Sequence, residues 1–326
     1  MKNRRCLILT FAAVLLVPPA ALIRDALAQA YPVKPVRVVV ANAAGGGVDT
    51  VVRIVAQRLS ESTRQTFVVE NRPGAAGNIA YEAVARATPD GYTLLASTPT
   101  IINNPTLYGK APYKLEDFLP ISLLGTAPLL LVVHPSVPVH SVADLVKLAK
   151  AKPASIRFGG SYAATPHLSQ EMLAIMAGIK LMHVPYKGGP QTLNDVMSGE
   201  IEMTMLAFAE TLPQVRAGRV RALAQSGEKR SPLAPDIPTV HEAGVKGYSS
   251  GTWYVVFAPA AVPPEVPARL HGEIVKALQQ PDVRERLQKA GVAEIIGAAP
   301  EETSRFVKRE AVRWEKVIRA AGITIQ

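Results

Sequence analysis

The segment Val36–Thr50, reading VRVVVANAAGGGVDT, restricts the folds open to this chain more than any other. Val36, Val38, Val39 and Val40 form a nearly continuous β-branched run, the pattern of a strand buried on both faces. Gly45, Gly46 and Gly47 follow, and Val48, Val51, Val52, Val55 and Leu59 then recur at the spacing of one helical face. A strand that turns into a helix through glycines brings bare backbone N–H groups and the positive end of a helix dipole to one place. Glycine has no Cβ to hold an anion away from that backbone. A tight turn without a ligand reads the same way, so the segment alone leaves both meanings open.

Upstream, Lys2, Arg4 and Arg5 precede an apolar run from Cys6 to Val17, and Ala26-Leu27-Ala28 closes the stretch. Charged head, apolar middle and small-residue end predict a signal peptide over residues 1–28, cleaved after Ala28. Pro18 and Pro19 interrupt the run and disfavour a membrane-spanning helix. Cys6 is the only cysteine, so the exported chain has no disulfide and depends on its core. The whole chain carries +10; residues 1–28 hold four basic groups and one acidic one, which leaves +7. Those charges interleave with acids, as over Asp282–Ala290 and Ser304–Ala320, and no basic run carries aromatics. Nucleic acid is therefore excluded as a partner, while a mild positive field draws small anions.

Strand patterns at Phe67–Glu70 and Tyr92–Ala96 flank a helical pattern at Asn78–Thr88, which predicts a parallel sheet with right-handed crossovers. A second series follows. Its strands are Leu129–Val133, Ile156–Phe158, Met182–Val184, Ile201–Leu206 and Val220–Ala224, and its helices are Val142–Lys150, His167–Ala177 and Gln191–Met197. Trp253–Phe257 is a last strand, and three helical stretches end the chain. Two such series exceed one compact sheet. The expected fold is α/β: two Rossmann-like lobes with a cleft between them, lobe 1 from 29–129 and 251–326, lobe 2 from 130–250.

Catalytic chemistry is weakly supported. As a dinucleotide fingerprint the glycine loop lacks its third glycine, Thr50 standing there, although Glu70 closes the next strand where a ribose-binding acid would lie. Gly159-Gly160-Ser161-Tyr162-Ala163 nearly spells a nucleophile elbow, with Ala163 in place of the last glycine. A secreted serine hydrolase using Ser161 is thus the alternative function, but His183 falls in a strand and no partner acid stands out. The six histidines are single and widely spaced, so neither a metal site nor a cofactor is expected. What repeats is a hydroxyl-bearing loop: Ser97-Thr98-Pro99-Thr100 after one strand, Ser161 to His167 after another, with Thr165 a fitting N-cap and Pro166 a fitting first helical residue. Ligands of doubly wound sheets bind at such strand ends.

In order along the chain, YPVKPVRVVV, GGGVD, VVENRPGAAGN, PDGYTLL, NPTLY, HVPYKGG, VRAGRVRALA, KRSPLAPDIPTVHEAG and WYVVFAPA resemble the periplasmic solute-binding proteins of tripartite tricarboxylate transporters, the Bordetella uptake gene family. The resemblance covers essentially the whole mature chain. It implies a Venus flytrap architecture that closes on a small carboxylate held by loop backbone and bridging water. It also implies a periplasmic, non-enzymatic monomer whose partners are the membrane components of such a transporter, or a sensor.

The departures bear on the ligand. Asn42, Ala43 and Ala44 stand where the family has an aromatic and prolines; Ser161, Ala163 and Ala164 replace a small polar pattern, with His167 kept; Leu206 and Ala207 replace Asp-Asn. One reading is a pocket wall that has lost a carboxylate and suits a monocarboxylate with an apolar or aromatic body. The other is that Leu206 packs in the core. The expected roles give Asn42, Ala44, Gly45, Gly46 and Gly47 to ligand contact, and Asp49 to fixing the loop. Ser97, Thr98 and Thr100 would bind from lobe 1, and Ser161, Ala164, Thr165 and Ala207 from lobe 2. His167 would organise from behind, and Trp253 would wall the pocket or pack at the hinge.

Overall fold

The structure, a computed structural model, describes residues 31–325; the expected signal peptide lies outside them. Eleven strands occur among the described residues: β1 Val36–Val40, β2 Phe67–Asn71, β3 Thr93–Ser97, β4 Phe118–Ala127, β5 Leu129–Val133, β6 Arg157–Gly160, β7 Met182–Pro185, β8 Met203–Ala207, β9 Arg221–Gln225, β10 Thr252–Pro259 and β11 Glu294–Ala298. The helices are α1 Gly47–Thr63, α2 Asn78–Ala85, α3 Thr100–Leu107, α4 Val142–Ala151, α5 Thr165–Ala177, α6 Gly189–Ser198, α7 Phe208–Arg216, α8 Glu265–Leu278, α9 Pro281–Lys289 and α10 Pro300–Ala321.

Two sheets form, ordered β11-β4-β10-β3-β1-β2 and β7-β6-β8-β5-β9. β1 is buried apart from Arg37, as its β-branched run requires, and α1 turns Val48, Val51, Val52, Val55 and Leu59 inward. The parallel pairing expected of the first three strands is present, but both sheets are mixed. β1 pairs in parallel with β2 and β3, but β10 is antiparallel to β3 and β4, and β5 is antiparallel to β8 and β9. β4 went unforeseen because Pro120 and Gly125 break its pattern. The sheet tolerates Pro120 because β11 pairs only with Leu123–Thr126, leaving the Pro120 stretch an open edge. α3 was hidden similarly by Pro105 within an eight-residue helix.

One apolar cluster packs α1, α8 and α9 on the first sheet, through residues such as Val52, Leu59, Leu270 and Ile274. A second runs without a break from Leu95, Ile101 and Phe257 through Trp314 and Val317 of α10 to Leu168 and Met172 of α5. The last long helix therefore joins both sheets, in addition to the two chain crossings.

Candidate functional site

Strand directions bring two sets of carboxyl ends together. β4 leaves the first sheet at the end where β1, β2 and β3 finish, and only Pro128 separates it from β5. β5 enters the second sheet at the end where β6 and β8 finish. The return crossing is pinned at the same place: the Ser226 hydroxyl accepts from Leu129 N–H (2.7 Å) and donates to the Ser250 carbonyl (2.8 Å). The loops after β1–β3 thus face those after β6–β8.

The helices that start there are unusual for this molecule. α2, α3, α5 and α6 have no acidic residue in the first turn and no side-chain N-cap. The helices that start elsewhere carry an acid in the first turn: Asp144 in α4, which Ser141 also caps, Glu265 in α8, Asp282 in α9, and Glu301 and Glu302 in α10. Each α-helix leaves about four N–H groups unsatisfied and roughly half a positive charge at its start. Around the facing loops that charge is left uncompensated at α2, α3 and α5. The exception is α7, which follows β8 at the same end and carries Glu210 in its first turn, with the carboxylate against Gly189 at the start of α6. Anions are the solutes such a surface attracts.

α1 begins at the same end and has one acid, Asp49, turned inward. Asp49 is buried, and its carboxylate accepts from Gly45 N–H (2.8 Å), Arg53 Nε (2.9 Å) and Asn71 Nδ2 (2.9 Å). Burial alone would raise its pKa, but these bonds hold it below the usual carboxylate range. Asp49 is spent on the loop and leaves Asn42, Ala44, Gly45 and Gly47 exposed, with Gly46 as an N-cap that has no side chain. Gly45, at φ +81°, adopts the left-handed conformation that favours glycine.

Behind this loop lies a sharp turn over Gly74–Gly77. Gly74, Ala75, Ala76 and Gly77 all have positive φ, an arrangement that alanine rarely tolerates. Asn104 of α3 holds it by donating Nδ2 to the Ala76 carbonyl (3.0 Å) and Asn78 Oδ1 (2.7 Å). A Cβ on Gly77 would stand 2.9 Å from Ala41 Cβ and from the Tyr81 ring. The signal was present in NRPGAAGN, whose glycines bracket two alanines with no polar partner of their own.

Ser97 is not presented to the cleft. It is buried, and its hydroxyl donates to Tyr81 Oη (3.1 Å), whose own pKa burial pushes up to about 12. Thr98 and Thr100, half-buried, share a hydroxyl contact of 3.2 Å. Across the cleft, α5 starts at Thr165 with Ala164 as its N-cap, so Thr165 is not the cap its sequence suggested. Ser161, Ala164 and Thr165 are half-buried at that start. His167 is buried, and its Nδ1 accepts from Ala163 N–H at 2.9 Å. Ala207 is exposed at the end of β8, but Leu206 is buried among Leu130, Leu193 and Phe208. The reading that Leu206 packs in the core therefore holds, and the apolar pocket wall inferred from it does not.

Trp253 is buried edge-on against Phe306, 5.9 Å between centroids. It borders a 1020 Å³ cavity beside the crossings, lined also by Arg230, Arg309 and Arg313 and by none of the other expected site residues. The tryptophan packs beside the chain crossing.

Residues 51–323 match the tripartite tricarboxylate transporter family receptor, TctC. The chain belongs to this family. It is 36% identical over 293 residues to a protein from the tcbD-tcbE intergenic region of Pseudomonas sp. strain P51, covering 89% of this chain and 87% of the relative. A solved structure of R. palustris Rpa4515 with adipate is 38% identical with a TM-score of 0.76, covering 90% of this chain and 99% of that one. MatC of Rhodopseudomonas palustris, with bound malate, is 29% identical with a TM-score of 0.72, covering 88% and 100%.

TctC receptors are solute-binding proteins, and the hydrolase reading finds no geometry here. Among the described residues no hydrogen bond joins the Ser161 hydroxyl to an imidazole: His167 Nδ1 takes the Ala163 amide and His183 Nε2 takes the Gly160 carbonyl, 2.9 Å each. A nucleophile elbow strains the serine itself, whereas here the positive φ falls on Ala163. Among the described residues no cluster of three or more His, Cys, Asp or Glu side chains suits a metal ion.

Proposed function

We propose that this chain captures a small carboxylate between the facing helix starts and delivers it to the membrane components of a tripartite tricarboxylate-type transporter. The observation that carries this reading is the set of helix N-termini without an acid at the strand ends, α2 and α3 on one wall and α5 on the other, against the acid-bearing α8 and α10 at the opposite ends. Glu210 of α7 is the one acid on that side besides the inward-turned Asp49. In this reading the N–H groups at Gly45–Gly47 and the hydroxyls of Thr98 and Thr100 meet one carboxylate from lobe 1, residues 29–129 and 251–326. Ser161, Ala164 and Thr165 meet the other end of the ligand from lobe 2, residues 130–250. Helix starts on both walls suit an acid with two carboxylates. Adipate and malate, bound by the two structural neighbours, are of that class. Tyr81, through Ser97, and His167, through Ala163, brace the loops from behind. Cleavage after Ala28 would release the receptor into the periplasm as a monomer, and hinge closure would couple to binding.

A thermal-shift screen of residues 29–326 against mono-, di- and tricarboxylates tests this. An acid at a hundredfold excess over its Kd adds about 2.7 kcal/mol of stability. A concentration-dependent rise in Tm for a dicarboxylate supports the proposal. No rise for any acid refutes it.

A further inference from the structure

The loop that joins β6 to α5 is held at both ends by a pair of stacked imidazoles. The His167 and His183 rings lie 3.7 Å apart at 14°, although they come from α5 and β7. His183 Nε2 meets the Gly160 carbonyl at 2.9 Å, so that nitrogen carries the proton. His167 Nδ1 receives the Ala163 amide at 2.9 Å, so that nitrogen is bare and the proton sits on Nε2, 3.4 Å from Glu171. The hydrogen-bond partners thus fix both tautomers. Tyr162 lays its ring 5.2 Å from His167 and donates its hydroxyl to the Thr324 carbonyl (3.1 Å), so the loop also touches the chain's end. Between the clamped residues, Ala163 sits at φ +58°, a conformation that does not persist unless its surroundings impose it.

We infer that His167 and His183 are positioning residues that hold the β6–α5 loop in its ligand-ready form only while His167 Nδ1 is unprotonated, making capture weaken in acid. This rests on the ligand reading for the loop; the clamp itself does not. The chemistry is one-directional. A proton added to His167 must go to Nδ1, where it points at the Ala163 N–H and ends that hydrogen bond. A proton added to His183 goes to Nδ1 and leaves its bond to Gly160 intact. Two protons on rings 3.7 Å apart repel.

The titratable groups facing the pair are Glu171 from α5 and Tyr162 from the loop; Phe158 of β6 adds an apolar ring. Burial and the neighbouring His167 hold the His183 pKa below the usual imidazole value. Its contribution to loop stability is therefore complete above that usual value and is lost as the pH falls through the lowered one.

The test is an amide and imidazole NMR titration of residues 29–326 from pH 8 to pH 5. At pH 8 both rings should show the Nε2–H tautomer, and the Ala163 amide should be protected from exchange. As the pH falls, protection of Ala163, corrected for the intrinsic rate, should fall by about tenfold, the worth of one hydrogen bond. H167Q, which keeps an acceptor but cannot titrate, should lose that pH response. An Ala163 amide that stays protected while both rings become charged overturns the inference, as does an H167Q protein with the wild-type response. If H167Q fails to fold, the wild-type titration alone decides. Adipate and malate are then added at pH 8 and pH 5.5. Weakening of about tenfold at the lower pH in the wild type but not in H167Q extends the clamp to capture, because protonation of the acids themselves affects both proteins alike, and an equal loss in both refutes that link. Absence of binding by any carboxylate at pH 8 sinks the receptor reading and leaves the amide result standing.

Discussion

Replacing Asp49 with alanine should loosen the glycine loop without touching the core. The substitution removes a buried acceptor of three bonds, from Gly45, Arg53 and Asn71. A bond to a charged group contributes about 1.5–3 kcal/mol. The Arg53 side chain is 49% exposed, so its share is screened to about 1 kcal/mol or less. The stranded donors lie near solvent and can turn to water, which caps the loss at roughly 2–4 kcal/mol. At about 2–4 °C per kcal/mol for a chain of this size, Tm should fall by about 4–16 °C. Because the same loop offers its N–H groups to the ligand, affinity for the bound acid should drop by about tenfold or more. The acid limb gives a second reading. The Asp49 pKa is lowered in the fold, so its stabilisation is present above the ordinary carboxylate value and lost as pH falls through the lowered one. Differential scanning fluorimetry from pH 7 to pH 3 should show D49A with the shallower decline. An unchanged Tm and affinity would refute the role given to Asp49.

Leu206→Ala empties a fully packed site among Leu130, Leu193 and Phe208 and should destabilise by about 2–5 kcal/mol in urea unfolding while leaving the order of preference among acids intact. A changed preference would return Leu206 to the pocket wall. Gly77→Ala places a Cβ 2.9 Å from Ala41 and Tyr81 at φ +94°, and should lose about 2 kcal/mol or more together with ligand affinity; wild-type stability would mean the turn is looser than drawn. Neither the wild type nor Ser161→Ala should turn over p-nitrophenyl acetate above the buffer rate, and turnover abolished in the variant would revive the hydrolase.

The sequence was most readable where side-chain pattern and backbone demand coincide. Val36–Val40 and the Val48-Val51-Val52-Val55-Leu59 stripe fold as their periods require, because burial on both faces and on one face leaves few other options. Asp49 was legible too, since an acid beside an anion-ready turn has reason to face inward. The missed pieces were those in which tertiary context overrides a local signal. Pro120 and Pro105 read as breakers, yet an open sheet edge accommodates the first, and the Tyr113 hydroxyl takes the Ile101 carbonyl that the second cannot bond. Ser97 looked like a ligand hydroxyl because a loop position does not reveal which way a side chain points; Tyr81 claims it. Leu206 and Trp253 raised the same difficulty at strand ends, where one residue's shift exchanges cleft for core. The stacked histidines come from α5 and β7, far apart in sequence, and no local pattern announces such a contact.

A crystal structure of residues 29–326 saturated with the acid that gives the largest thermal shift tests the central claim most directly. The expected result is one carboxylate within hydrogen-bond distance of the N–H groups at the start of α1, with the far end of the acid against Ser161, Ala164 or Thr165 across the cleft. An acid lodged instead in the cavity beside Trp253, with the glycine loop empty, would contradict it.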